Sequence, residues 1–207
     1  MLSNTILALS LLPLTLAHFV LESPTSRGFD DDKESSFPCG TFNNVMSNRT
    51  DFPISGGPIQ LKMGHEQTNV AVYMAIGDNP GSAFNIVMRH TIMVTGLGEF
   101  CLGGVSVPAG VNVTDGTKAT IQVVTNGDPS GGLYQCADVT LRTAPLSGAS
   151  QCSNGTGVSV SQQNISGNPN ATTSGSSGSS SSKSAASHVK AASWVVGAVG
   201  ALALALL

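Results

Sequence analysis

No stretch of residues 18–152 keeps apolar side chains at the spacing of an amphipathic helix with caps at its ends. The apolar and β-branched residues come in short runs at 60–63, 69–76, 85–94, 104–107, 120–124 and 134–141. Turn residues separate them: Gly56-Gly57-Pro58, Gly77-Asp78-Asn79-Pro80-Gly81, Pro108-Ala109-Gly110 and Asn126-Gly127-Asp128-Pro129. Alternation is clear in Ile121-Gln122-Val123 and in Val139-Thr140-Leu141-Arg142, as one buried sheet face requires. Short strands without a repeat predict an all-β domain, an immunoglobulin-like sandwich of two sheets.

The rest of the chain reads as targeting and tether. Residues 1–17 carry an apolar run at 6–16, too short to cross a bilayer, and end in Thr15-Leu16-Ala17. Small residues at the third and last positions before a cut mark a secretory leader, and cleavage there makes His18 the mature N-terminus. At the other end, residues 191–207 read AASWVVGAVGALALALL, preceded by a Ser/Gly/Ala tract. Small residues followed by a terminal apolar tail predict GPI attachment, with Gly178, Ser179, Ser180, Ser181, Ser182 and Ser184 as candidates. A transmembrane tail is the alternative, but 17 residues are at the short limit and no basic cluster follows them. The expected order is leader 1–17, folded domain 18–152, glycosylated linker 153–183 and propeptide 184–207. The linker is Ser, Gly, Thr and Asn, which cannot bury enough apolar area to offset ordering, so a disordered stalk is expected.

Cysteine usage fits an extracellular compartment. Cys39, Cys101, Cys136 and Cys152 are even in number and lack zinc-type spacing, so two disulfides are expected. Three connectivities are open; Cys39–Cys152 with Cys101–Cys136, which ties the ends of the domain together, is the expected one. Sequons at Asn48, Asn112, Asn154, Asn164 and Asn170 predict exposed, glycosylated segments. Nine basic residues against twelve acidic give a net charge of −3, with no cluster to neutralise phosphates. A nucleic-acid partner is excluded on that basis.

Four histidines carry the remaining chemistry. His188 lies in the expected propeptide, and His90 sits mid-strand as a sheet-face residue. His18 is different: as an N-terminal residue it offers its amine and Nδ1 to one metal, and His65 can add a third nitrogen. The amine ordinarily titrates near ~7.7–8.0, so a divalent metal displaces its proton under mild conditions. Nitrogen donors in that number suit Cu(II), which also leads the divalent affinity series; zinc is the alternative. The acidic run Asp30-Asp31-Asp32 with Glu34 reads as a solvated loop, or less simply as a second cation site.

The opening HFVLESPTSRGFD at 18–30, continuing through Glu34 to Pro38-Cys39-Gly40, resembles the fungal LPMO-like copper-binding family that includes yeast copper-acquisition factors. Gly64-His65-Glu66, the turn at 78–81 and Tyr134-Gln135-Cys136-Ala137-Asp138-Val139 extend the likeness over nearly all of 18–152. The resemblance implies an LPMO-like β-sandwich and one Cu(II) per domain. It also implies the ligands: His18 by amine and Nδ1, His65 by a ring nitrogen, and Asp138 by a carboxylate oxygen. Thr41 departs from the pattern, since relatives often carry a second glycine after Pro-Cys-Gly; a loop difference is expected.

Three functions compete. A copper-binding protein anchored on the outer membrane leaflet or wall, passing copper to an importer, is the expected one. A copper-dependent polysaccharide monooxygenase acting on wall glycan would use the same histidines. An Asp ligand would disfavour the reduction that oxygen activation requires. Few aromatics offer themselves to a sugar ring: Tyr73 and Tyr134 are the only tyrosines, and Trp194 leaves with the propeptide. A structural wall protein with a vestigial site is the third reading.

Overall fold

The computed structural model describes residues 18–126, 132–145 and 152–164. The leader, Asn170 and the GPI candidates lie outside the described residues. Among the described residues there are nine strands and no helix: β1 (Phe19–Ser23), β2 (Thr50–Pro53), β3 (Gly57–Met63), β4 (Gln67–Ile76), β5 (Ile86–Thr95), β6 (Gly98–Val105), β7 (Lys118–Asn126), β8 (Gly132–Arg142) and β9 (Ser159–Gln162). A three-stranded sheet runs β1-β3-β6, and a six-stranded sheet runs β2-β8-β7-β4-β5-β9. Neighbours are antiparallel except β2 and β8, which run parallel.

Alternation along each strand builds the core between the sheets. Phe19 and Leu21 of β1, Ile59, Leu61 and Met63 of β3, and Phe100 and Leu102 of β6 face inward from the small sheet. Val70, Val72 and Met74 of β4, Ile121 and Val123 of β7, and Ala137, Val139 and Leu141 of β8 meet them from the large one. The other face of the large sheet is buried too. Ala71, Tyr73, Ala75, Val124, Tyr134 and Cys136 pack there with Cys39 and Phe84 in a second apolar cluster. The connection between β1 and β2 lies over that face and is tied down by Tyr134 N–H to the Glu34 carbonyl (2.8 Å) and the Gln122 amide to the Pro38 carbonyl (2.8 Å).

The expected all-β, two-sheet architecture is what the chain adopts, but the disulfides pair otherwise. Cys39 bonds Cys136 and Cys101 bonds Cys152, each with Cα atoms 5.2 Å apart. The expected Cys101–Cys136 link is ruled out by alternation. Cys101 lies between the inward residues Phe100 and Leu102 and so faces outward from the small sheet, whereas Cys136 faces outward from the large one. The thickness of the sandwich separates them, and a disulfide tolerates no such span.

Three strands fall outside the predicted runs, and all lie at sheet edges: β1 in the small sheet, β2 and β9 in the large one. β9 corrects the expected boundary of the domain. Residues 159–162 were expected in a disordered linker, yet they pair with β5 at Val94↔Val160 and Thr95↔Ser159. Val158 is buried in the main core. Fold therefore continues past Cys152, because an edge strand takes its stability from the neighbour's open hydrogen bonds rather than from its own composition. Asn48, Asn112, Asn154 and Asn164 are all exposed, as their sequons predict.

Candidate metal centre

Strand pairing brings the two histidines to neighbouring backbone positions. β1 and β3 are antiparallel with Phe19 opposite Met63, so His18 stands opposite Gly64, one residue before His65. Gly64 N–H donates to the His18 carbonyl at 3.0 Å. A Cβ on residue 64 would lie 2.5 Å from that carbonyl oxygen, so only glycine lets the backbone approach this closely. Both imidazoles are half-buried.

The ring of His18 is oriented from the β1–β2 connection. Its Nε2 lies 2.8 Å from the backbone carbonyl oxygen of Asp31. A carbonyl only accepts, so Nε2 carries the proton and Nδ1 keeps a free lone pair. That is the tautomer a chelate through the amine and Nδ1 needs, held by an outer partner in the usual manner of metal-bound histidines. Phe29 flanks the ring edge-on, with centroids 6.5 Å apart, and is 39% exposed. His18, with Nδ1 free, thus fits a metal that takes nitrogen donors, and His65 stands one residue beyond its backbone partner Gly64.

Asp138 is not brought to this place. Its neighbours in alternation, Tyr134 and Cys136, lie on the face of the large sheet turned away from the small sheet that carries His18. There it is fully buried and saturated. The Arg27 guanidinium donates to both carboxylate oxygens (Nε to Oδ2 at 2.9 Å, NH2 to Oδ1 at 2.7 Å), the Thr120 hydroxyl to Oδ1 at 2.7 Å and Met46 N–H to Oδ2 at 2.8 Å. Burial alone would raise its pKa, but these donors outweigh it and hold the carboxyl below the usual range. A carboxylate so engaged anchors the β1–β2 connection to β8; the expected ligand role is withdrawn. Among the described residues no three His, Cys, Asp or Glu side chains gather as a metal-binding group.

The remaining candidates sort by surroundings. His90 is exposed on β5, the bland position expected of it. Asp30 pairs with Lys33 at 2.6 Å, and Asp31 and Asp32 are exposed, as a solvated loop would have them. Glu34 breaks from that run: it is 1% exposed, its Oε1 accepts from the Gln135 amide at 2.6 Å, and its Oε2 has no partner. Burial pushes its pKa up to about 8, with the Gln135 hydrogen bond opposing. Nothing in the acidic run marks one member for burial.

The fold is a two-sheet β-sandwich with two histidines at neighbouring backbone positions at one end of its small sheet. Residues 16–157 match the family described as copper acquisition factor BIM1-like, and the chain belongs to that family. It is 48% identical over 158 residues to an uncharacterized protein of Aspergillus fumigatus, covering 73% of this chain and 65% of that one. Copper acquisition factor BIM1 of Cryptococcus neoformans var. grubii is 36% identical over 67% of this chain and 66% of its own length. The lytic polysaccharide monooxygenase-like protein ham-7 of Neurospora crassa is 32% identical over the full length of both chains. The chain spans only 65% and 66% of the length of the first two of these relatives.

Proposed function

We propose that the mature protein is an extracellular Cu(II)-binding protein that captures copper at the cell surface for transfer to a membrane importer, without cleaving polysaccharide. After cleavage behind Ala17, the His18 amine and Nδ1 and one ring nitrogen of His65 hold a single ion. The observation that carries this reading is the Asp31 carbonyl on His18 Nε2, which leaves Nδ1 as the free donor. Copper is cargo here, and three nitrogens suit its divalent state. A GPI anchor after the stalk keeps the site near the membrane, which the small-residue tract at 178–184 and the apolar tail support. Glycans on the exposed Asn48, Asn112, Asn154 and Asn164 fit the same compartment.

The monooxygenase reading loses one of its counter-arguments, since Asp138 is committed to Arg27 and does not crowd a metal. A second argument stands. Both tyrosines are buried, Tyr73 at 8% and Tyr134 at 2% exposure, so neither offers a face to a glycan chain. Relatives carry both kinds of name, and the BIM1 name is the one the family description shares.

The test begins with the secreted protein. Mass spectrometry places its first residue at His18, and one equivalent of Cu(II) gives a spectrum with nitrogen couplings that simplify in His65→Ala. Asp138→Asn leaves that spectrum unchanged. Phospholipase specific for phosphatidylinositol releases the protein from cells. Oxidised oligosaccharides from chitin, glucan or cellulose, formed with reductant and dependent on His18 and His65, would overturn the non-lytic reading. An N-terminus other than His18 would overturn the chelate.

A further inference from the structure

β1 is the edge strand of the small sheet, bonded on one side to β3, so its other row of backbone groups has no strand to pair with. Gln135 takes that place from the opposite sheet. It is 1% exposed, its Oε1 accepts from Leu21 N–H at 3.0 Å, and its Nε2 donates to the Phe19 carbonyl. Because the amide serves one donor and one acceptor two residues apart, it reads the strand as a neighbouring strand would. Its remaining N–H reaches Glu34 Oε1 at 2.6 Å, and Glu34 carries the chain three residues beyond Asp31. The Glu34 backbone is fixed as well, by Tyr134 N–H on its carbonyl. One buried side chain therefore grips both segments that set His18: the strand that begins at Phe19 and the turn whose Asp31 carbonyl holds the ring.

We infer that Gln135 and Glu34 are positioning residues for the copper site, a buried amide–carboxyl pair that fixes His18 against Gly64-His65 and against the Asp31 carbonyl. The inference rests on the copper reading for its function but not for its geometry. Neither side chain touches the ion. They decide how far the His18 ring and amine wander before binding, and so how much of the binding free energy is spent on ordering them. Outer partners of metal ligands ordinarily shift affinity by about 10- to 100-fold when removed.

The experiment compares Gln135→Leu, Glu34→Leu and Glu34→Gln with a control, Thr125→Val. Thr125 is an equally buried polar residue of the same large sheet, but its hydroxyl holds no part of the β1–β2 connection and has no hydrogen-bond partner. Two readouts are taken on the secreted chain: amide hydrogen exchange without metal, and the Cu(II) spectrum and affinity with it. In Gln135→Leu, exchange at Leu21 accelerates while the middle of β7 stays protected. Cu(II) affinity drops about tenfold or more, with altered nitrogen couplings. Glu34→Leu does the same to the metal while Gln135 keeps its own bonds to Leu21 and Phe19, so it carries the test if Gln135→Leu does not fold. Glu34→Gln, which keeps an acceptor for Gln135, restores the wild-type spectrum. Copper binding and spectrum unchanged in both Leu variants would overturn the inference and leave the copper reading intact. Equal changes in Thr125→Val would overturn it too, as general loosening. A wild-type protein that binds no copper would sink the copper reading instead, while the exchange data would still report the grip on β1.

Discussion

Two buried carboxyl groups hold the same β1–β2 connection against the same strand, and their surroundings are opposite. Asp138 is met by a guanidinium, a hydroxyl and a backbone N–H, so it is charged and fully satisfied. Glu34 is met by neutral N–H groups alone, the Gln135 amide and the Phe19 backbone, has one oxygen without a partner, and is pushed by burial towards its neutral form. The difference teaches which of the two can be part of a responsive site. A saturated ion pair far from the ligands is an anchor whose removal is felt as lost stability. A carboxyl held neutral beside the ligand-bearing strand can be changed with the metal site as the reporter.

The largest effect should come from breaking the anchor. Arg27→Leu leaves the buried Asp138 charge with only Arg49, 3.9 Å away, and is expected to lower unfolding free energy by about 3 kcal/mol in urea titration. Asp138→Asn, which removes the charge, should cost less. A smaller loss in Arg27→Leu than in Asp138→Asn would show that Asp138 is not ionised, and the contrast would fail.

The pH dependence of stability separates the two groups further. Glu34 has a raised folded pKa, so the native state binds more protons than the unfolded chain between the ordinary carboxyl value, 4.5, and about 8. Stability contributed by Glu34 therefore falls as pH rises through that window, by up to about 1.4 kcal/mol per unit. Asp138 has a lowered folded pKa, so its contribution is present above the unfolded value and is lost as pH falls through the folded one. Chemical unfolding from pH 5 to 8 should show a downward slope that flattens in Glu34→Gln and persists in Asp138→Asn. An unchanged slope in Glu34→Gln would assign the effect to another group.

The smallest expected effect trims the anchor without breaking it. Thr120→Val removes one of the donors to Asp138, at about 1 kcal/mol, with Arg27 and Met46 left in place. The Cu(II) spectrum should not move. A spectral change there would mean that the two regions are coupled through β8, and the division between anchor and site would need redrawing.

Much of the fold was legible in residue order. Alternating runs separated by Gly, Pro and Asn turns mark β3, β4, β5, β7 and β8, because a strand half-buried in a core must alternate. The run at 104–107 overlaps only the end of β6 (Gly98–Val105), since Gly98 and Gly103 look like turn residues. The edge strands β1, β2 and β9 carry little pattern of their own. His18 and His65 stood out by residue type and position, and the structure sets His18 opposite Gly64.

What the order of residues determined alone is the class of chain: short strands, an even set of cysteines, and a histidine directly behind Thr15-Leu16-Ala17. Only the tertiary structure decided which side of the sandwich each side chain faces across the two sheets. It paired Cys39 with Cys136, sent Asp138 to Arg27 on the far face, and buried Glu34 against Gln135. Alternation gives each residue a face within its own strand. Which layer that face looks into depends on how sheets stack, and stacking is set by contacts between residues a hundred positions apart.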